Sequence, residues 1–174
     1  GVYHMYFQYN PFHVEWENMS WGHATSTDLL HWKQEDTVLW PDEYGMMFSG
    51  CGLRNDKKLL DLPKDTLVYY YSAAGGTTTW SKNREFVQGI AYSTDNGKHI
   101  TKMKDVNIPT IEKENRDPKV FWHEKSQAYI MVLWLQEDEF AVLRSTDLKD
   151  FTVSQRLRLT DAFECPDLFE LQVV

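Results

Sequence analysis

Apolar and polar residues alternate along this chain in short runs. They do not fall three and four apart over any sustained stretch. Tyr3 to Tyr9 is rich in aromatic side chains and stops at Asn10-Pro11, a turn signal. Leu67 to Tyr71 leads to Gly75-Gly76, and Phe86 to Tyr92 leads to Asp95-Asn96-Gly97. Val120 to Trp122 and Tyr129 to Leu135 flank Glu124-Lys125-Ser126-Gln127, which reads as a hairpin loop. Phe140 to Arg144 leads to Asp147, while the charged stretch Arg54 to Lys64 reads as a surface loop. The pattern predicts strands throughout, so the fold class is all-β.

The tripeptide Ser-Thr-Asp recurs at Ser26, Ser93 and Ser145, each time after a strand-like run. A ring or imidazole (Trp32, His99, Phe151) follows each Asp by four residues. Ser and Asp side chains bond the backbone of a turn, and the following ring is expected to pack the next strand. A spacing of roughly 50–70 residues suits one such turn per four-stranded blade of a β-propeller. The simpler reading is that Ser-Thr-Asp is a common turn tripeptide. Three turns imply about three blades, fewer than the ~4 a propeller needs to close.

Composition narrows the function. The 174 residues are 42% hydrophobic and 14% aromatic, which excludes a disordered chain. The net charge of −8 and the absence of a basic patch argue against nucleic acid as a partner. No apolar run approaches the ~18 residues of a membrane-crossing helix, so no membrane partner is expected. Cys51 and Cys165 are the two cysteines, without zinc spacing. Either one disulfide or two buried thiols fits them.

Four segments carry chemistry. They are Tyr3 to Pro11, Trp21 to Trp32, Arg116-Asp117-Pro118-Lys119-Val120-Phe121, and Glu164-Cys165-Pro166-Asp167-Leu168-Phe169-Glu170. Phe48-Ser49-Gly50 and Gln88-Gly89-Ile90-Ala91-Tyr92-Ser93 fall between them. In this order the segments closely resemble glycoside hydrolase family 32, the invertases, inulinases and levanases, from Tyr3 to Leu171.

The resemblance implies a five-bladed β-propeller with a β-sandwich after it. It implies a retaining hydrolase of fructans or sucrose, with the active site in a funnel at the propeller axis. Residues 1–174 then form a partial propeller of about three blades. Asp117 matches the family's transition-state stabiliser, and Glu164 matches its acid/base. The nucleophile belongs to a Trp-Met-Asn-Asp-Pro-Asn-Gly motif that these residues do not contain. The resemblance places that motif upstream of Gly1, and the last blades and the sandwich beyond Val174. Gln8 matches a sugar-contacting Gln, Trp16 a ring at the rim of the fructose subsite, and Phe48 and Ser49 a pair beside the fructosyl unit. Arg116 is expected to hold sugar together with Asp117. Glu17, after Trp16, departs from the small residue the family has there. No metal or cofactor is implied, and secretion or a cell-surface location is.

The chemistry fits these assignments. Retaining hydrolysis needs two carboxyl groups ~5–5.5 Å apart, one ionised and one protonated. Arg116, next to Asp117, is expected to keep that Asp ionised. Cys165 and Pro166 give Glu164 poorly solvating company. Apart from the resemblance, either acid reads as one of 26 mostly surface carboxylates, and Arg-Asp-Pro as a turn whose Pro keeps Asp117 out of the right-handed helical region. Two other readings stand beside hydrolysis. One is a sugar-binding propeller or inactive relative without turnover, kept open by the missing motif. The other is fructosyl transfer, in which a sugar replaces water.

Overall fold

A computed structural model describes residues 1–108 and 110–171. Among them are eleven strands and no helix. In chain order they are β1 (Tyr3–Tyr9), β2 (Ser20–Ser26), β3 (Lys33–Gln34), β4 (Met46–Arg54), β5 (Leu67–Ala74) and β6 (Val87–Ser93). They continue with β7 (Thr101–Ile108), β8 (Arg116–His123), β9 (Ala128–Gln136), β10 (Glu139–Ser145) and β11 (Thr152–Arg158). All neighbouring strands pair antiparallel, in three sheets ordered β1-β2-β3, β4-β5-β6-β7 and β8-β9-β10-β11.

The middle sheet explains how the three stack. In β5 the sequence Leu-Val-Tyr-Tyr-Tyr-Ser-Ala-Ala buries both faces, because side chains alternate across a strand. Val68 and Tyr70 point to one face and join Met131, Leu133, Leu143 and Leu148 of the third sheet's region. Tyr69 and Tyr71 point to the other and join Trp21, Leu39 and Met47. The buried hydroxyls find acceptors, as buried polar groups must. Tyr70 donates to the Leu148 carbonyl at 2.6 Å, and the Tyr6 and Tyr69 hydroxyls bond each other at 2.9 Å.

The three Ser-Thr-Asp turns occupy equivalent places, linking β2 to β3, β6 to β7 and β10 to β11. Each Ser Oγ bonds its Asp Oδ1 and accepts backbone N–H groups of the turn. The ring four residues beyond Asp does not play one repeated part, contrary to the expectation. Phe151 packs edge-on against Tyr70, His99 bonds Asp95, and Trp32 bonds the Leu29 carbonyl on the surface. At the first turn it is His31, three residues past Asp28, that takes the bond His99 makes.

Two irregularities in the ladders matter most for the site. Between β4 and β5, Met47 pairs Ala73 and Gly50 pairs Tyr71. Between β8 and β9, Arg116 pairs Trp134 and Lys119 pairs Val132. Each is a bulge of one extra residue in the first strand of its sheet, at the same relative position. One bulge holds Phe48-Ser49, and the other holds Asp117-Pro118.

Candidate active site

Both bulges lie at the end of their sheets opposite the Ser-Thr-Asp turns. Ser26 pairs Tyr3 while Gln8 pairs Trp21; Ser93 pairs Leu67 while Met47 pairs Ala73; Ser145 pairs Tyr129 while Arg116 pairs Trp134. A bulge bends its strand and re-aims the side chains in it. This is how an otherwise regular sheet presents Ser49 and Asp117 at its end.

Asp117 is 7% exposed and has φ of 64°, a left-handed conformation that a non-glycine residue adopts at a cost of roughly 1–3 kcal/mol. Other residues with positive φ, such as Lys58 and Asn96, lie in surface turns; Asp117 lies at the start of a strand. Pro118 keeps it from the right-handed region, as the sequence implied. Glu164 and Cys165 are left-handed too, at 57° and 44°. The Cys165 N–H donates to Asp117 Oδ2 at 3.1 Å, and its thiol lies 3.6 Å from the same oxygen. That contact brings the Glu-Cys-Pro segment onto the Arg-Asp-Pro bulge.

The partner of Arg116 differs from the expectation. Its guanidinium meets Glu164, not Asp117. Nε and Nη2 donate to Glu164 Oε1 at 2.7 and 2.5 Å, and Nη1 donates to the Glu114 carbonyl. The guanidinium carbon sits 3.9 Å over the Trp134 ring, which Phe163 meets edge-on. The side chain is 12% exposed. Arg116 is thus held between the Trp134 ring and Glu164, while the bulge and the left-handed backbone at Asp117 set that carboxylate's direction separately.

The remaining predicted residues join the same cluster. Gln8 Nε2 donates to Ser49 Oγ at 2.9 Å. Partial burial raises the Cys165 thiol above its ordinary range, Asp117 and Glu164 add to this, and the Ser49 hydroxyl opposes it. Trp16, 68% exposed, meets Phe48 edge-on at 5.8 Å, and Phe48 meets Phe86 the same way. The Phe48 carbonyl accepts from Trp21 Nε1 at 2.8 Å, which seats the bulge on the first sheet. Thus Gln8, Ser49, Asp117, Glu164 and Arg116 form one polar surface, with Trp16 and Phe48 along its side. Cys51 and Cys165 are both free thiols, and Cys165 is exposed, so neither the disulfide nor a buried pair describes them. Residues that sequence reasoning left without a role, Ser72 and Gln88, lie buried directly behind Asp117.

Two carboxylates, a clamped guanidinium, an amide and a hydroxyl on one surface beside exposed rings suit a polyhydroxylated ligand. Rings cover apolar sugar faces, and the polar groups take hydroxyls. Known proteins resemble the chain in sequence and in structure. A levanase of Bacillus subtilis is 37% identical over 99% of this chain and 26% of its own length. An extracellular exo-inulinase of Aspergillus niger is 36% identical over 98% of this chain and 37% of its own length. A solved structure of a fructofuranosidase from Schwanniomyces occidentalis complexed with fructose superposes with a TM-score of 0.78 at 31% identity, over 90% of this chain and 31% of that one. The chain therefore spans well under half of the proteins it matches. Residues 1–174 match the family model of the glycosyl hydrolases family 32 N-terminal domain along their whole length, and the chain belongs to that family.

Proposed function

We propose that this chain forms part of the catalytic domain of a retaining β-fructosidase, three blades of a five-bladed propeller, acting on fructans or sucrose. The observation that carries the reading is the Cys165 N–H bond to Asp117, which sets the acid/base segment against the stabiliser. In this reading a nucleophilic carboxylate from outside the 174 residues attacks the anomeric carbon of the fructosyl unit. Glu164 gives its proton to the departing glycosidic oxygen. Glu164 then takes a proton from water as that water displaces the enzyme carboxylate. Asp117 accepts sugar hydroxyls and offsets the positive charge that develops on the ring. Arg116 orients Glu164 and meets substrate; Gln8 and Ser49 bond the fructosyl unit, with Trp16 and Phe48 beside it. Only carboxylates and water are required, so no cofactor takes part. The relatives that are extracellular exo-inulinases support secretion.

The test is product configuration. An active protein containing this chain, given inulin, levan or sucrose, is expected to release fructose first in the β configuration, followed by proton NMR. Initial release of the α anomer overturns the retaining mechanism. Transfer of fructose to added sugar in preference to water favours a fructosyltransferase. Because this mechanism takes its nucleophile from outside the 174 residues, these residues alone are expected to release no fructose.

A further inference from the structure

Behind Asp117 runs a buried polar chain. The Asp117 N–H donates to Ser72 Oγ at 2.9 Å, Ser72 Oγ donates to Gln88 Oε1 at 2.7 Å, and Gln88 Nε2 donates to the Asn115 carbonyl at 2.9 Å. Ser72, Gln88 and Asn115 are all fully buried. The chain leaves the third sheet at Asp117, crosses β5 and β6, and returns to the backbone two residues before it left.

Its direction is fixed by elementary valence. The Asn115 carbonyl can only accept, so the Gln88 amide must present Nε2 to it. The amide oxygen then faces Ser72 and can only accept as well. The Ser72 hydroxyl must therefore donate to Gln88, which leaves its lone pairs toward Asp117. The bulge fixes the other end of this polar chain. It takes the Asp117 N–H out of the β8–β9 ladder, and Pro118 has no N–H to replace it. Ser72 is the acceptor that gives this amide a partner in a region closed to water. Asn115 Oδ1 meanwhile accepts from the N–H groups of Ile111 and Glu112, closing the loop just before the bulge.

We propose that Ser72 and Gln88 are positioning residues, which fix the direction of the Asp117 carboxylate by holding the backbone on both sides of Arg116. The proposal rests on the reading of Asp117 as the transition-state stabiliser. Neither residue touches the exposed surface of the site, so their effect must pass through Asp117.

The experiment compares two backgrounds in an active protein containing this chain. Ser72→Ala is expected to lower kcat/KM for inulin by about 10- to 100-fold, the scale of a small misplacement of a catalytic group. In an Asp117→Asn background the same substitution is expected to cost less than about 3-fold, because residues acting as a unit are not additive. Equal losses in both backgrounds show a general structural role and overturn the proposal. Undiminished turnover in Asp117→Asn alone overturns the reading of Asp117, and the positioning role with it. If Ser72→Ala does not fold, Gln88→Met, close in volume and lacking both bonds, carries the same comparison. The unaltered protein offers a check that needs no variant. The Asp117 amide is expected to show slow hydrogen exchange, and exchange at the rate of an open loop overturns the proposal.

Discussion

Arg116 holds a single oxygen of Glu164 from two nitrogens, although 48 residues separate them in the chain. The guanidinium carbon also lies 3.9 Å over the Trp134 ring, so the contact that holds Glu164 is backed by an aromatic face. A lysine would keep the charge but lose the second donor and the stacking. Arg116→Lys is thus expected to lower kcat/KM for fructan hydrolysis by about 10²-fold, the scale of a misplaced catalytic group. Thermal stability should change little by comparison. A kinetic assay beside a melting curve checks this, and unaltered kinetics would show that the fork has no part in turnover.

The second sheet is tied to the first through the Ser93 turn. Tyr6 donates to the Gly97 carbonyl at 3.1 Å while also meeting Tyr69. Gly97 has φ of 82°, and a Cβ placed there would lie 2.2 Å from the Tyr6 hydroxyl. Gly97→Ala therefore combines backbone strain with a clash and is expected to destabilise the chain by more than ~1 kcal/mol. Tyr6→Phe removes only the hydroxyl and should cost about 1 kcal/mol. Urea midpoints give the comparison; a Gly97→Ala variant as stable as the parent would show that the turn gives way freely.

The same turns predict how the fold responds to acid. Asp95 is held below the ordinary carboxylate range by the His99 side chain and backbone and by Ser93. Asp28 is held low by the His31 backbone and side chain and by Leu30. A carboxylate with a depressed folded pKa adds stability above its unfolded value, about 3.9, and loses it as pH falls through the folded value. Melting temperature is therefore expected to drop between pH 4 and 2. Asp95→Asn, which has no charge to lose, should flatten that drop. Parallel acid profiles for variant and parent would remove the turn carboxylates as the cause.

Much of the fold is legible in the sequence because alternation is a local property. Tyr3 to Tyr9 and Leu67 to Tyr71 announce themselves, and the Ser-Thr-Asp turns mark the last hairpin of each sheet. Strand β4 does not, since Gly50 and Gly52 weaken its strand signal and its bulge breaks the alternation at Phe48-Ser49. Strands β7 and β11 are largely polar and carry no apolar run. At the site, Asp117 and Glu164 are visible only as members of motifs; as single acids they resemble any surface carboxylate. The partnership of Arg116 with Glu164 is not visible at all, because it joins residues 48 apart and depends on how the Glu-Cys-Pro segment returns to the bulge. Ser72 is a small residue in an apolar strand, and nothing local distinguishes it until the Asp117 amide lies 2.9 Å from it.

The proposed roles of the two carboxylates separate under the right substrates. Glu164→Gln keeps nearly the same shape but has no proton to give to the leaving oxygen. General acid catalysis contributes ~10²–10⁴-fold, so turnover of inulin or sucrose should fall by that order while sugar binding persists. Asp117→Asn removes a negative charge from beneath the developing cation and changes the bonds to sugar hydroxyls. Its loss should therefore appear in binding and turnover together. The Cys165 N–H now donating to Asp117 Oδ2 can still meet the Asn side-chain oxygen, so the segment should stay in place. A fructoside whose leaving group departs without a proton distinguishes the two. With it, Glu164→Gln is expected to regain much of its first-step rate, since the step no longer needs an acid. Asp117→Asn is expected to stay slow, since the charge on the ring develops whatever the leaving group. Pre-steady-state release of the leaving group measures this step directly. Equal rescue of both variants, or of neither, would overturn the division of labour between Glu164 and Asp117.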